Sequence, residues 1–332
     1  MKIDIFPHVL PIKYKEALYR VAPPGFYIQN VIDSLPTLFN LDYRFEIMDK
    51  YEGLMQVLTL SAPPVEMIAD SEKAVDLAKL ANDEMAELVL KYPRRFAAAV
   101  GCLPMNNMEA ALTEVDRVIN DLKFRGVQLY TPINGRPLDS PEFVPLYEKM
   151  SQHNLPIWIH PQRAADHADY EAENRSRYMI FHIFGWPYET AAAMTRLVFS
   201  GILERYPNLK FITHHCGGMV PYLEQRMIGA YDHAEMLRGA KYKQGLSKAP
   251  IEYFKMFYYD TALYGSTAAL MCGYAFCGAD HMLFATDMPY DSELGDRYIR
   301  QTIQSIEQMD ISEPEKRKIF EDNARSLLRL PG

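Results

Sequence analysis

"ETAAAMTRLVFSGILERYPNLKFITHH", residues 189–215, sets a helix-like stretch before a short apolar run that ends in two histidines. The same alternation recurs along the chain. Eight apolar, β-branched or aromatic runs can be counted: "KIDIF" (2–6), "MQVLTLS" (55–61), "FAAAVGCLP" (96–104), "FRGVQLY" (124–130), "PIWIH" (156–160), "KFITHH" (210–215), "FKMFYYDT" (254–261) and "MLFATD" (282–287). Most are continuously apolar, as parallel strands covered on both faces should be. Helix-like segments such as "DSEKAVDLAKLANDEMAELVLKYP" and "MEAALTEVDRVINDL" lie between most of them. After the eighth run, "SEPEKRKIFEDNARSLLRL" opens on a capping box, Ser312 with Glu315. Eight strand–helix alternations predict an α/β fold of the (β/α)8 TIM-barrel type. The alternative is a doubly wound open sheet, but no GxGxxG or GxxxxGKS loop follows any run. No repeat, low-complexity tract or linker divides the chain, so residues 1–332 are expected to form one domain. Two long insertions are expected, after strand 1 (11–50) and after strand 5 (161–186), where lids and binding loops are commonly found.

Composition narrows the class. With 48% hydrophobic residues the chain has ample material for a core, and its net charge of −8 without blocks of like charge argues against a nucleic-acid partner. No apolar run is long enough to span a membrane. Cys102, Cys216, Cys272 and Cys277 form no CxxC, and no signal-like segment opens the chain, so the expected location is the cytoplasm.

Barrel active sites lie at the C-terminal ends of the strands. There the chain places His8, His160, His214 and His215, with Asp260 and Asp287. Of nine histidines, four fall at these few positions, which points to a metal or acid–base site rather than scattered core histidines.

In order along the chain, "IDIFPH", "WIHP", "THHCGG", "YYDTAL" and "ATDMPYD" resemble the successive strand-end motifs of the amidohydrolase superfamily. More narrowly, the chain resembles the branch containing aminocarboxymuconate-semialdehyde decarboxylase; "YPRRFAAAVGCLPMNNMEAALTEVDR" and "ERYPNLKFITHHCGGMVPYLEQR" read the same way. The resemblance implies one divalent metal, Zn²⁺ in the first instance and Mn²⁺ as the alternative, with His8, His160 and Asp287 matching ligands. His215 matches the histidine that acts on the substrate or on water at the metal, and Asp287 would share in proton movement. Asp260 matches a supporting position. His214, one residue out of register on an extended strand, is expected to point away and pack behind the site. Arg226 matches an arginine that reaches a neighbouring subunit's site and holds the substrate carboxylate, which implies a homodimer or higher homo-oligomer. Arg163, His182 and Trp186, in or beside the loop after strand 5, are further candidates for substrate contact.

The first strand departs from the pattern. Such strands often read Ile-Asp-x-His-x-His, yet here the first histidine is Phe6, whose ring offers no lone pair. Asp4 cannot share an ion with His8, because four residues of strand span on the order of 13 Å. His8, His160 and Asp287 remain, a sufficient three-ligand set with an open position, and Phe6 becomes an apolar wall of the substrate pocket. The expected activity is non-oxidative decarboxylation of an aromatic or conjugated unsaturated carboxylate. Two alternatives stay open: a metal-dependent hydrolase or hydratase of a lactone, amide or β-dicarbonyl compound, and a catalytically silent ligand-binding barrel.

Overall fold

A computed structural model describes residues 1–331. Ten short strands follow one another: β1 (Lys2–Asp4), β2 (His8–Val9), β3 (Leu54–Leu60), β4 (Phe96–Ala99), β5 (Gly101–Cys102), β6 (Val127–Thr131), β7 (Pro156–Pro161), β8 (Lys210–Thr213), β9 (Tyr258–Asp260) and β10 (Met282–Leu283). All ladders are parallel. β1, β2 and β4 pair with β3, while β5 to β10 pair in sequence order. The run 96–102 joins the two sets, because β4 pairs with β3 and β5 with β6. The ring closes through the backbone: Ile5 N–H donates to Phe284 C=O at 3.0 Å, and His8 N–H to Met288 C=O at 2.7 Å. Nine of the ten strands fall on the eight expected runs, the third being broken in two, and β2 lies just beyond the first; together they close into a barrel.

The stretch 189–215 shows why the helices sit outside. The helix Trp186–Phe199 buries Thr190, Ala193, Met194, Leu197 and Val198, a stripe at helical spacing that faces the sheet. The barrel interior is filled by Ile3, Ile5, Val57, Ala98, Val100, Trp158, Ile212, Leu283 and Ala285. Trp158, the largest of them, donates its indole N–H to Ile5 C=O at 3.0 Å. The capping box forms as expected, with Ser312 N–H donating to Glu315 at 2.9 Å.

Two expected features differ in detail. Residues 254–261 are not one strand: a helix with Pro250 at its first position runs through Phe254, and β9 begins only at Tyr258. The segment after the first strand carries its own helices, Ile12–Val21, Gln29–Ser34 and Leu41–Met48, with a 3₁₀ turn at Pro36–Leu38. The last helix sends Arg44, fully buried, toward the barrel. Its guanidinium donates to Gln56 Oε1 and to His8 C=O, both at 2.8 Å, and so fixes the backbone of His8.

Asp4 fastens β1 to the segment after β10. Its carboxylate accepts from Thr286 N–H at 3.1 Å, Thr286 Oγ1–H at 2.5 Å and Phe6 N–H at 3.2 Å. Burial lifts Asp4 to about 6 against the pull of those donors. Asp4→Ala would leave two buried backbone N–H groups unpaired, at about 1–3 kcal/mol each. We expect a stability loss of about 2–4 kcal/mol by urea unfolding, with most of the effect transmitted to the segment carrying Asp287.

Candidate active site

The strand ends bring six side chains to one mouth of the barrel. His8, His160, His214, His215, Asp260 and Asp287 are all buried. His160 follows from the β6–β7–β8 register, in which Tyr130 pairs with His160 and Ile159 with Thr213. His160 Nδ1–H donates to Pro161 C=O at 2.7 Å, which leaves the lone pair on Nε2. His8 Nε2 lies 3.1 Å from Asp287 Oδ1, yet neither ring nitrogen of His8 makes a well-directed hydrogen bond.

Asp287 is the hub. Its Oδ1 is also 3.3 Å from His214 Nε2, and its Oδ2 accepts from Tyr264 O–H at 2.9 Å and lies 3.7 Å from His215 Nε2. Burial alone would raise this carboxyl, but His214 and the other imidazoles hold it well below the usual carboxylate range.

His214 corrects the expectation that it packs behind the site. β8 ends at Thr213, but His214 is still extended (φ −75°, ψ 155°) and lies beside His160 in the β7–β8 register, while His215 and Cys216 leave the pleat with φ of 54° and 53°. Register therefore puts His214 on the same face as His160, the left-handed turn at His215 breaks the alternation, and both rings face the mouth, 3.9 Å apart between centroids. His214 Nδ1 is paired with Asp260 Oδ2, and Asp260 Oδ1 accepts from Cys216 N–H at 3.0 Å and Ala262 N–H at 3.1 Å. Gly217 and Gly218 make the bend possible. A Cβ at Gly218 would come within 2.3 Å of Pro187 C=O, and one at Gly217 within 2.4 Å of the Tyr259 ring. Left-handed backbone at His215 and Cys216, and at Asp287 (φ 61°), concentrates strain at this mouth.

Electrostatics separates the histidines. Burial lowers His8 and pushes His160 well below its ordinary value, so both present neutral imidazoles. Burial also lowers His215, to about 4, and the positive His214 beside it adds to the effect. His214 goes the other way: burial opposes its charge, but Asp260 and Asp287 outweigh it and raise it to about 9. Both nitrogens of His215 are buried without partners, as are both of His8.

Aromatic groups surround the cluster. Phe6 is fully buried, stacked on His214 at 4.0 Å and 20°, and 5.5 and 5.9 Å from His8 and His160. Trp186 lies 5.4 Å from His160 and 4.3 Å from His182, and its indole N–H donates to Arg163 C=O. The Arg163 guanidinium is paired with Glu189 at 2.7 Å. His182 sits on the turn Phe181–Gly185 and is lowered by burial. Arg226 stands apart, exposed on the helix Glu224–Arg238, none of whose side chains is buried. Four residues that sequence reading did not single out join the site: Tyr264 on Asp287, Tyr290 against His8 at 5.3 Å, Tyr130 against His160 at 5.0 Å, and Arg44 behind His8. With 22 tyrosines in the chain, none of the three tyrosines stood out.

The donor set suits a divalent ion. His8, His160 and His214 offer ligand atoms all within 4.8 Å of one another, and His214, His215 and Asp287 do likewise. Neutral imidazoles and an ionised carboxylate are the forms that bind a metal, and unpartnered buried nitrogens on His8 are what such a site leaves behind.

A family model described as Amidohydrolase matches residues 5–330. The chain belongs to the amidohydrolase family. It is 31% identical over 300 residues, 87% of each chain, to gamma-resorcylate decarboxylase of Polaromonas sp. (strain JS666). It is 27% identical over 345 residues to 2-amino-3-carboxymuconate-6-semialdehyde decarboxylase of Dictyostelium discoideum, covering 99% of this chain and 92% of that one. A crystal structure of dihydroxybenzoic acid decarboxylase from Polaromonas sp. JS666, with bound manganese and the inhibitor 2-nitroresorcinol, superposes with a TM-score of 0.80. It is 28% identical to this chain and covers 99% of it and 96% of the relative. Within the amidohydrolases, the chain therefore falls in the decarboxylase branch.

Proposed function

We propose that this site removes CO₂ without oxidation from a hydroxylated aromatic carboxylate. The carrying observation is Asp287, ionised and shared among three imidazoles and the Tyr264 hydroxyl, beside His215 with both nitrogens unpaired. The reaction breaks the ring–carboxyl C–C bond, and the electron pair left on carbon forms a C–H bond with one proton. His8, His160 and Asp287 would hold a divalent ion, which would supply positive charge against a substrate oxygen. The nitrogen-rich donors favour Zn²⁺, and Mn²⁺, which the Polaromonas relative carries, is the alternative. Tyr130, Trp186, Tyr264 and Tyr290 ring the mouth and suit a flat substrate. His215 and Asp287 hold and deliver the proton across 3.7 Å. Trp186 and His182 wall the pocket on the side of the loop after β7. Arg163, paired with Glu189, is assigned to holding Trp186 through its carbonyl. Phe6 keeps water from the inner wall. The chain is read as one domain, and Arg226 as reaching the site of a second copy, since its helix buries nothing in its own chain.

The test is CO₂ release by metal-loaded protein from a panel of hydroxybenzoate, muconate and heteroaryl carboxylates. No release from any of them would sink this reading. Incorporation of ¹⁸O from solvent into product would establish the hydrolase or hydratase instead.

Since His215 stays neutral well below pH 6.5, and a nearby dication would push it further down, kcat/KM should show no limb near 6.5 from this residue. Its acid limb should fall at about pH 4 or below, and His215→Asn should lower the pH-independent value by about 10² to 10⁴.

A further inference from the structure

We propose that His214 is itself a metal ligand and fills the place that Phe6 leaves without a donor. The inference rests on the metal-dependent reading above and adds a residue to it. His214 is the one side chain common to both clusters of donors, the one with His8 and His160 and the one with His215 and Asp287. Its orientation is imposed from behind. Asp260, itself fixed by Cys216 N–H and Ala262 N–H, pairs with Nδ1 and leaves Nε2 facing the cluster. A carboxylate behind a histidine in this way sets the ring and raises its strength as a ligand.

The spacings agree with a shared ion. Tetrahedral ligands with bonds of about 2.0–2.1 Å are separated by about 3.3–3.4 Å. His214 Nε2 and His8 Nε2 lie 3.3 and 3.1 Å from the same Asp287 oxygen. Phe6 then has a second task. Stacked on the His214 ring at 4.0 Å and 20°, it fixes the plane in which that ring can turn. The residue that removes one donor positions another, and the displaced ligand comes from the end of β8. The competing arrangement is a permanently charged His214 bridging Asp260 and Asp287, outside the coordination sphere.

X-ray absorption on zinc-loaded protein separates them, because it counts imidazoles around the ion independently of turnover. The expected result is three imidazoles in the wild type and two in His214→Ala, with zinc affinity in that variant at least about tenfold weaker. His214→Gln, which keeps a polar partner for Asp260, controls for local collapse and should also show two. Asp260→Asn should retain three imidazoles while binding zinc about 10- to 100-fold more weakly. Two imidazoles in the wild type, with zinc affinity unchanged in His214→Ala, would overturn the assignment. Should neither histidine variant fold, the wild-type count alone decides. Two imidazoles in protein that still releases CO₂ would reject this inference and leave the decarboxylase reading intact. Protein that takes up neither zinc nor manganese would reject both.

Discussion

Asp287→Ala is expected to empty the site and to reduce CO₂ release by at least about 10⁴-fold, combining the loss of a ligand with the loss of a proton carrier. No other side chain here has as many partners. Its two oxygens lie within 3.7 Å of His8, His214, His215 and Tyr264, and removing it leaves three buried imidazoles and a hydroxyl without their shared acceptor. Asp287→Asn separates the two roles. It keeps the volume and a partner for Tyr264 but removes the charge that the ion needs. Metal analysis of purified protein should therefore find both variants depleted. If Asp287→Asn kept a full complement of metal while turnover vanished, Asp287 would move protons without holding the ion, and His8, His160 and His214 would have to hold it. Unchanged metal content in Asp287→Ala would remove Asp287 from the ligand set altogether.

The barrel was legible in the sequence because parallel strands buried on both faces leave continuous apolar runs, and helices such as Trp186–Phe199 leave stripes at 3.6-residue spacing. Boundaries were less legible where an aromatic run is shared between elements. "FKMFYYDT" is apolar throughout, but Pro250 begins a helix that extends into it. The cluster was legible where its members sit at strand ends, at His8, His160, His215 and Asp287. His214 was misplaced because alternation was counted back from His215, whereas the register continues through His214, beside His160, and breaks only at His215. β8 stops at Thr213, and the paired glycines at 217 and 218 were the available signal that the chain turns there. Arg44 was invisible for a different reason. A charged residue in an ordinary helical stretch reads as solvated, and only the fold shows its guanidinium fully buried against His8 C=O and Gln56. Arg226 came only from the family resemblance, and it lies exposed on the helix Glu224–Arg238.

Phe6→His gives the other large effect, with opposite signs in metal affinity and turnover. In the metal-free protein the new imidazole would lie fully buried against the His214 ring, without a hydrogen-bond partner assigned to it by the surrounding fold. That should cost about 1–3 kcal/mol. Loading with a divalent ion should more than restore the loss, since a ring at this position is 5.5 Å from His8 and 5.9 Å from His160 and adds a donor to their cluster. The melting temperature of the variant should thus fall without metal and rise steeply with it, whereas the wild type shows a smaller difference. Turnover should fall, because an added donor occupies a position open to substrate and the apolar wall that excludes water is lost. Phe6→Leu supplies the control. It keeps the wall, removes the stacked ring and should loosen His214, weakening metal affinity without adding a donor. If turnover first appeared on Phe6→His, the natural site would be a binding site without chemistry, and the phenylalanine would mark the step at which catalysis was lost.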